Sequence, residues 1–172
     1  MVGMTAMEGA WFHLASHATL KITLFFAAGA IYVRHHYERI DELDGIGRRM
    51  PWTMTAFALA SLGLAGLPPF NGFISKFYLA WGSLETGHLL AFGVLLLASL
   101  LCAGYLLPVV YRAFFRPSPN GQTNYAEASL WMVIPLCLTA LASLLLGLFP
   151  NGAVHLFEVS TRAAQAVFAR NF

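Results

Sequence analysis

Residues 52–82 read WTMTAFALASLGLAGLPPFNGFISKFYLAWG, an apolar stretch with one charged side chain, Lys76. As one continuous helix these 31 residues would extend about 46 Å, against a hydrocarbon core of about 30 Å. The centre is Gly66-Leu67-Pro68-Pro69-Phe70-Asn71-Gly72. Two successive prolines delete two backbone donors and disfavour helix in the residue before each. The stretch therefore predicts a discontinuous helix, broken around Pro68, Pro69 and Gly72, with an unwound midsection; a plain proline kink is the simpler alternative. Irregular backbone at membrane depth is tolerated only inside protein or beside a watery cavity. Broken helices near the bilayer midplane are a recurrent device for ion sites.

Working outward, three more apolar blocks pass the length test of about 20 residues for a crossing. They cover residues 7–33, 89–115 and 129–149. The chain of 172 residues is 58% hydrophobic and 10% charged, where a soluble domain carries about 25% charged residues. The fold class is thus an all-α integral membrane protein with four transmembrane segments, the second discontinuous. Residues 1–150 form the transmembrane domain. Residues 151–172 read as an amphipathic surface tail, with Val154, Phe157, Ala164, Val167 and Phe168 at roughly helical spacing and Arg162, Gln165 and Arg170 between them. A net charge of +2 without an aromatic-basic patch excludes nucleic acid as a partner. Cys102 and Cys137 each fall inside an apolar block and read as small buried hydrophobes rather than a disulfide or metal pair.

The intervening loops set an orientation. Residues 34–51 are densely charged, 83–88 very short, and 116–127 polar and rich in turn formers. If all four blocks cross, Arg34, Arg39, Arg48, Arg49, Arg112 and Arg116 share one side, with Arg162 and Arg170 opposite. The positive-inside rule puts the first group in the cytoplasm and both termini outside. No signal peptide is visible, since the first ten residues lack a basic region and contain Glu8. The first block must direct insertion itself, or the chain is the C-terminal part of something longer.

Both lysines of the chain, Lys21 and Lys76, lie inside apolar blocks. An ammonium there costs roughly 2.5–3.5 kcal/mol on insertion scales. Lysine can release its proton when desolvated, which arginine cannot. His13, His17 and Lys21 are spaced i, i+4, i+8, so they drift only about 40° per step and share one helix face. They form a ladder of titratable groups about 12 Å long, with steps that one water or hydroxyl can bridge. A bundle histidine can also simply satisfy a backbone carbonyl; three titratable groups on one face favour proton handling. A haem or zinc site is disfavoured because the glutamate and third ligand of a zinc-protease helix are missing. Glu85 and His88 sit at the outer end of the second block and read either as a solvated cluster or as a proton exit.

The strings HLASHATLKITLFFAAGAI, GRRMPWTMTAFALASLGLAGLPPFNGFISKFYL and GYLLPVVYRAFF resemble the antiporter-like family. That family comprises proton-pumping membrane subunits of respiratory complex I, Mrp-type Na⁺/H⁺ antiporter subunits, the D-type among them, and related hydrogenase subunits. The resemblance covers residues 11–149 and implies the C-terminal portion of a larger bundle of about 14 helices built from two inverted repeats. By it, His13, His17 and Lys21 match the central relay helix of the second repeat. Lys76 matches the lysine of that repeat's broken helix. The first repeat, with its Glu–Lys pair and inward half-channel, has no counterpart here, so the chain reads as a split subunit, a truncated product or an excerpt.

The expected function is proton translocation as a subunit or fragment of a complex I-type NADH:quinone oxidoreductase or an Mrp-type antiporter, through a Lys/His/water relay. The expected setting is the bacterial plasma membrane, with other membrane subunits as partners; protons are the transported species and Na⁺ is left open. No cofactor is expected in this chain. It is not expected to be catalytic alone, although it can belong to an enzyme complex. The alternative is a non-transporting structural or assembly protein that keeps the fold.

Overall fold

The computed structural model describes residues 3–118, 124–152 and 155–171, and among these all regular structure is helical. The first apolar block becomes α1, Met4–His35, a 32-residue helix. It ends where His36 turns left-handed (φ 56°) and donates its N–H to Tyr32 O. Arg34 and His35 in the last turn face the negative end of the helix dipole.

The charged segment that follows is folded rather than an open loop. Glu42 Oε2 accepts from the backbone N–H of Glu38 and Arg39, which starts a 3₁₀ turn over Ile40–Leu43. A single helical turn, α2, covers Ile46–Arg49. Helix α3, Pro51–Ala65, follows with proline at its first position, where a missing N–H costs nothing. Its N-terminus is closed from 75 residues away: Glu127 accepts from Trp52 N–H (3.0 Å) and from the Thr53 hydroxyl (2.6 Å). Gly66, at φ 92°, ends α3 by donating its N–H to Leu62 O and Gly63 O.

The second apolar block is therefore two helices. α3 stops at Ala65, α4 spans Asn71–Glu85, and residues 66–70, with a cis Pro68–Pro69 peptide, separate them. Each helix has 15 residues, about 22 Å, short of a crossing by itself. The remaining blocks give α5, Leu89–Phe115, with Pro108 inside it, and α6, Leu130–Leu148, with Pro135 inside it. Among the described residues, three helices are long and apolar enough to cross a membrane: α1, α5 and α6.

The most extensive packing is α1 against α4. The two run antiparallel in one register: His13 meets Ser75, Gly9 lies against Tyr78 and Leu79, Ala6 against Gly82, and Gly3 against Thr86. A Cβ on Gly82 would collide with the Ala6 backbone, so the helices approach to backbone contact because small residues face each other. α6 closes the other side of α3 and α4, burying Leu136, Ala140 and Ser143. Near the arginine-rich end, Ile46, Met50, Met54 and Ala113 form a core beneath the charged segment.

The tail forms α7, Leu156–Asn171, and packs on α1. Phe157 contacts the rings of Phe12 (5.9 Å) and Tyr78 (4.8 Å), and Ala164 is fully buried. Glu158, Val159 and Arg162 face outward. Val154 and the side chains of Phe168 and Arg170 lie outside the described residues.

Candidate functional site

The site forms where the break between α3 and α4 meets the middle of α1. Its first component is the histidine row. Spacing by four brings the His13 and His17 rings to 5.5 Å between centroids. His13 Nδ1 lies 2.9 Å from Ser75 Oγ. The Ser75 hydroxyl donates to Gly72 O (3.0 Å), so the His13 contact is completed by Nδ1–H donating to Oγ. Nε2 is then the free acceptor of the neutral ring.

Lys76 is the next residue along α4 and reaches toward the end of α3. Its Nζ donates to Leu64 O (2.7 Å) and Ala65 O (3.3 Å), the last two carbonyls of α3. These carbonyls have no intrahelical partner, and an ammonium at the negative end of a helix is favoured by about 0.3–1 kcal/mol, more when partly buried. Lys76 thus caps α3 across the break. Gly66 makes room for it: a Cβ there would sit 2.9 Å from Lys76 Cδ. His13 and His17 both lie within electrostatic range of Lys76.

Lys21 shares the stripe of the two histidines and interacts electrostatically with His17. It is exposed on the outer face of α1, in a row with Leu14 (66% exposed), Ala18 and Phe25 (69% exposed). Among the described residues nothing accepts a hydrogen bond from its ammonium. The structure therefore gathers His13, His17 and Lys76 around the break and leaves Lys21 on an unpartnered surface.

The remaining expected residues are placed as follows. Pro68 and Pro69 lie within the break, while Gly72 lies inside α4. A Cβ on Gly72 would collide with Gly63 O of α3 and sit 3.2 Å from Leu20 Cδ1, so only glycine lets the two half-helices approach there. Glu85 ends α4 and accepts from Trp81 Nε1 (2.7 Å); His88 precedes α5, and both are exposed. Glu85 lies about two and a half turns along α4 from Lys76, and His88 three residues beyond it. Cys102 and Cys137 are free thiols.

A second set of residues, neutral and polar, lies beside the titratable ones. Asn71 is fully buried. The cap position is Phe70, and Asn71 is the first helical residue. Its Nδ2 donates to Thr19 Oγ1 (3.3 Å) and its Oδ1 accepts from Ser143 Oγ (2.8 Å). Thr23 donates to Thr139 (2.8 Å) one turn further along. Ser16 Oγ is buried between these groups and the histidines without a partner among the described residues. Thr19 and Thr23 on α1, and Thr139 and Ser143 on α6, are each spaced by four and so share a helix face, but small neutral hydroxyls in apolar helices signal no chemistry by themselves.

The chain matches the family described as NADH:quinone oxidoreductase/Mrp antiporter, TM, over residues 1–102. NADH-quinone oxidoreductase subunit N of Desulforudis audaxviator is 37% identical over 156 residues, covering 84% of this chain and 31% of that protein. The antiporter subunit mnhD2 of Staphylococcus epidermidis is 24% identical over 170 residues, covering 98% of this chain and 34% of that protein. The chain thus spans about a third of the length of these two curated relatives. In the solved structure of the Mrp complex from Dietzia sp. DQ12-45-1b, one chain superposes with a TM-score of 0.82 at 24% identity, covering 94% of this chain and 38% of that one. The relatives are subunits of multi-subunit membrane assemblies. On the family match over more than half its length, the chain belongs to the NADH:quinone oxidoreductase/Mrp antiporter transmembrane family.

Proposed function

We propose that this chain is the proton-relay portion of an antiporter-like membrane subunit, with His13, His17, Lys21 and Lys76 passing protons through intervening water. The observation that carries it is the divergence of two consecutive α4 residues at the break. Ser75 engages the histidine row, and Lys76 is held 2.7 Å from Leu64 O. One short segment thereby joins the two titratable elements. On this reading α3 and α4 act as one discontinuous crossing, giving four in all. Residues 1–150 are the transmembrane portion, with 151–172 docked on it. The arginine-rich segments face the cytoplasm of a bacterial plasma membrane and both termini lie outside. Glu85 and His88 mark the outer mouth.

The partners are other membrane subunits of a complex I-type or Mrp-type assembly, and one of them, or a further part of the same bundle, covers Lys21. The transported ion is the proton, with Na⁺ a second candidate. The energy source resides in the partner chains, and this chain needs no cofactor of its own. Any NADH:quinone oxidoreductase activity belongs to the assembly. The exposure of Lys21 favours one second reading, a structural subunit that keeps the fold without transport.

The two readings separate on substitution. The assembly that co-purifies with the chain is reconstituted in vesicles, and proton uptake is followed with a pH-sensitive dye. Lys76→Met and Lys21→Met each lower uptake at least about tenfold with assembly intact if the relay operates, as expected when a group acting in proton transfer is lost. Unchanged uptake, or a more stable assembly, supports the structural reading.

A further inference from the structure

We propose that Asn71 is a positioning residue for the relay. It fixes the rotation of α4 that sends Ser75 to His13 and Lys76 to the carbonyls of α3. The functional part of this proposal rests on the relay reading, and the structural part on hydrogen bonds and backbone contacts alone.

Asn71 is fully buried and uses both ends of its amide, one to Thr19 of α1 and one to Ser143 of α6. It therefore ties three helices together at the first residue of α4, one turn before Ser75. A single tie would leave α4 free to rotate about that contact; two ties on opposite sides of one planar group do not. The second tie matters because α6 also seats on the break by an independent contact. Gly147, one turn beyond Ser143, abuts Pro69 O and the backbone of Phe70 and Asn71 so closely that no Cβ fits. α6 thus grips the end of the break with Gly147 and the start of α4 with Ser143.

A rotation of α4 by one residue step, about 100°, would carry one of Ser75 and Lys76 into the other's place and the other away from both. The histidine row would lose its hydroxyl, and Leu64 O and Ala65 O would lose their ammonium. An apolar side chain of similar size at position 71 would keep the volume and remove the constraint.

The experiment uses the full chain in its co-purified assembly. Cysteines replacing His13 and Ser75 report the α1–α4 alignment by disulfide yield, and cysteines replacing Gly3 and Thr86, which face each other across the same helices, report the far end of the pair. Asn71→Leu is expected to lower the 13–75 yield while leaving the 3–86 yield unchanged, which a general loosening would not do. In the otherwise native chain, Asn71→Leu is expected to lower proton uptake by at least about tenfold, the scale of small misplacements in transfer geometry. Ser143→Ala is expected to act in the same direction, and the double variant to fall no further than the single ones. An unchanged 13–75 yield in Asn71→Leu overturns the proposal, as do additive effects of the two substitutions. If the native assembly shows no proton uptake, the relay reading fails, and the cross-linking result still decides the positioning role. If Asn71→Leu does not assemble, Ser143→Ala with the same cysteine pairs gives the decision.

Discussion

His13 on α1 and Ser75 on α4, 62 residues apart in the chain, meet at 2.9 Å. This contact orients the imidazole by its Nδ1 and leaves Nε2 as the free acceptor of the neutral ring. Ser75→Ala removes the acceptor without adding bulk. The lost hydrogen bond is worth about 1 kcal/mol, or about a factor of five if it is felt in the transfer step. Proton uptake by the reconstituted assembly is expected to fall by that factor, with expression and assembly unchanged. Uptake equal to the native level would remove His13–Ser75 from the relay.

Gly66 serves two requirements at once, a φ of 92° and clearance for the Lys76 side chain. Gly66→Ala is expected to cost about 1–2 kcal/mol from the left-handed backbone alone. Displacement of Lys76 from Leu64 O adds to that loss. Unfolding of the purified protein in a denaturing-detergent titration measures it, and a cost under about 0.5 kcal/mol would mean the break relaxes freely.

The glycines of the apolar helices divide by what surrounds them. A Cβ on Gly82 meets the Ala6 backbone, whereas a Cβ on Gly93 meets nothing within 4 Å. Gly82→Ala must push α1 and α4 apart and is expected to destabilise by about 1–3 kcal/mol, the range for overpacking. Gly93→Ala is expected to be neutral or to stabilise by up to about 1 kcal/mol through helix propensity. The same titration on both variants checks the opposite signs.

Asp44 ties the charged segment to the end of α5 through Arg112 (2.7 Å) and, more weakly, Arg116 (3.5 Å). The Arg112 guanidinium hydrogen-bonded to Asp44 holds its carboxyl below the usual carboxylate range. A depressed carboxylate stabilises the folded state at pH above its ordinary value of about 3.9 and loses that contribution as pH falls through its folded value. Limited proteolysis within residues 36–49 is therefore expected to be slow at neutral pH and to quicken in acid. Asp44→Asn is expected to be cut faster at neutral pH and to converge with the native chain only once pH falls below the folded-state value of Asp44, itself below the ordinary carboxylate value of about 3.9. Equal cutting at neutral pH would mean that the segment is held by other contacts.

Much of this protein was legible in its sequence. Long apolar blocks dictate membrane helices because backbone groups in lipid must pair within their own segment. Pro68 and Pro69 forbid a continuous helix because they lack donors. The four-residue spacing of His13, His17 and Lys21 places them on one face by helix geometry alone. What the sequence left open required distance between segments. The charged stretch after α1 was legible as polar but not as folded, because its tie to Arg112 depends on where α5 ends. Asn71 reads as a helix cap by local preference, yet it is buried between Thr19 and Ser143, residues 52 and 72 positions away. Glu127 closes the start of α3 from across the fold, which no local signal announces. Only the tertiary structure separates Lys76, held by the carbonyls of α3, from Lys21, exposed on α1. Periodicity says which side chains share a face, but the packing of helices distant in the chain decides whether that face meets protein or lipid.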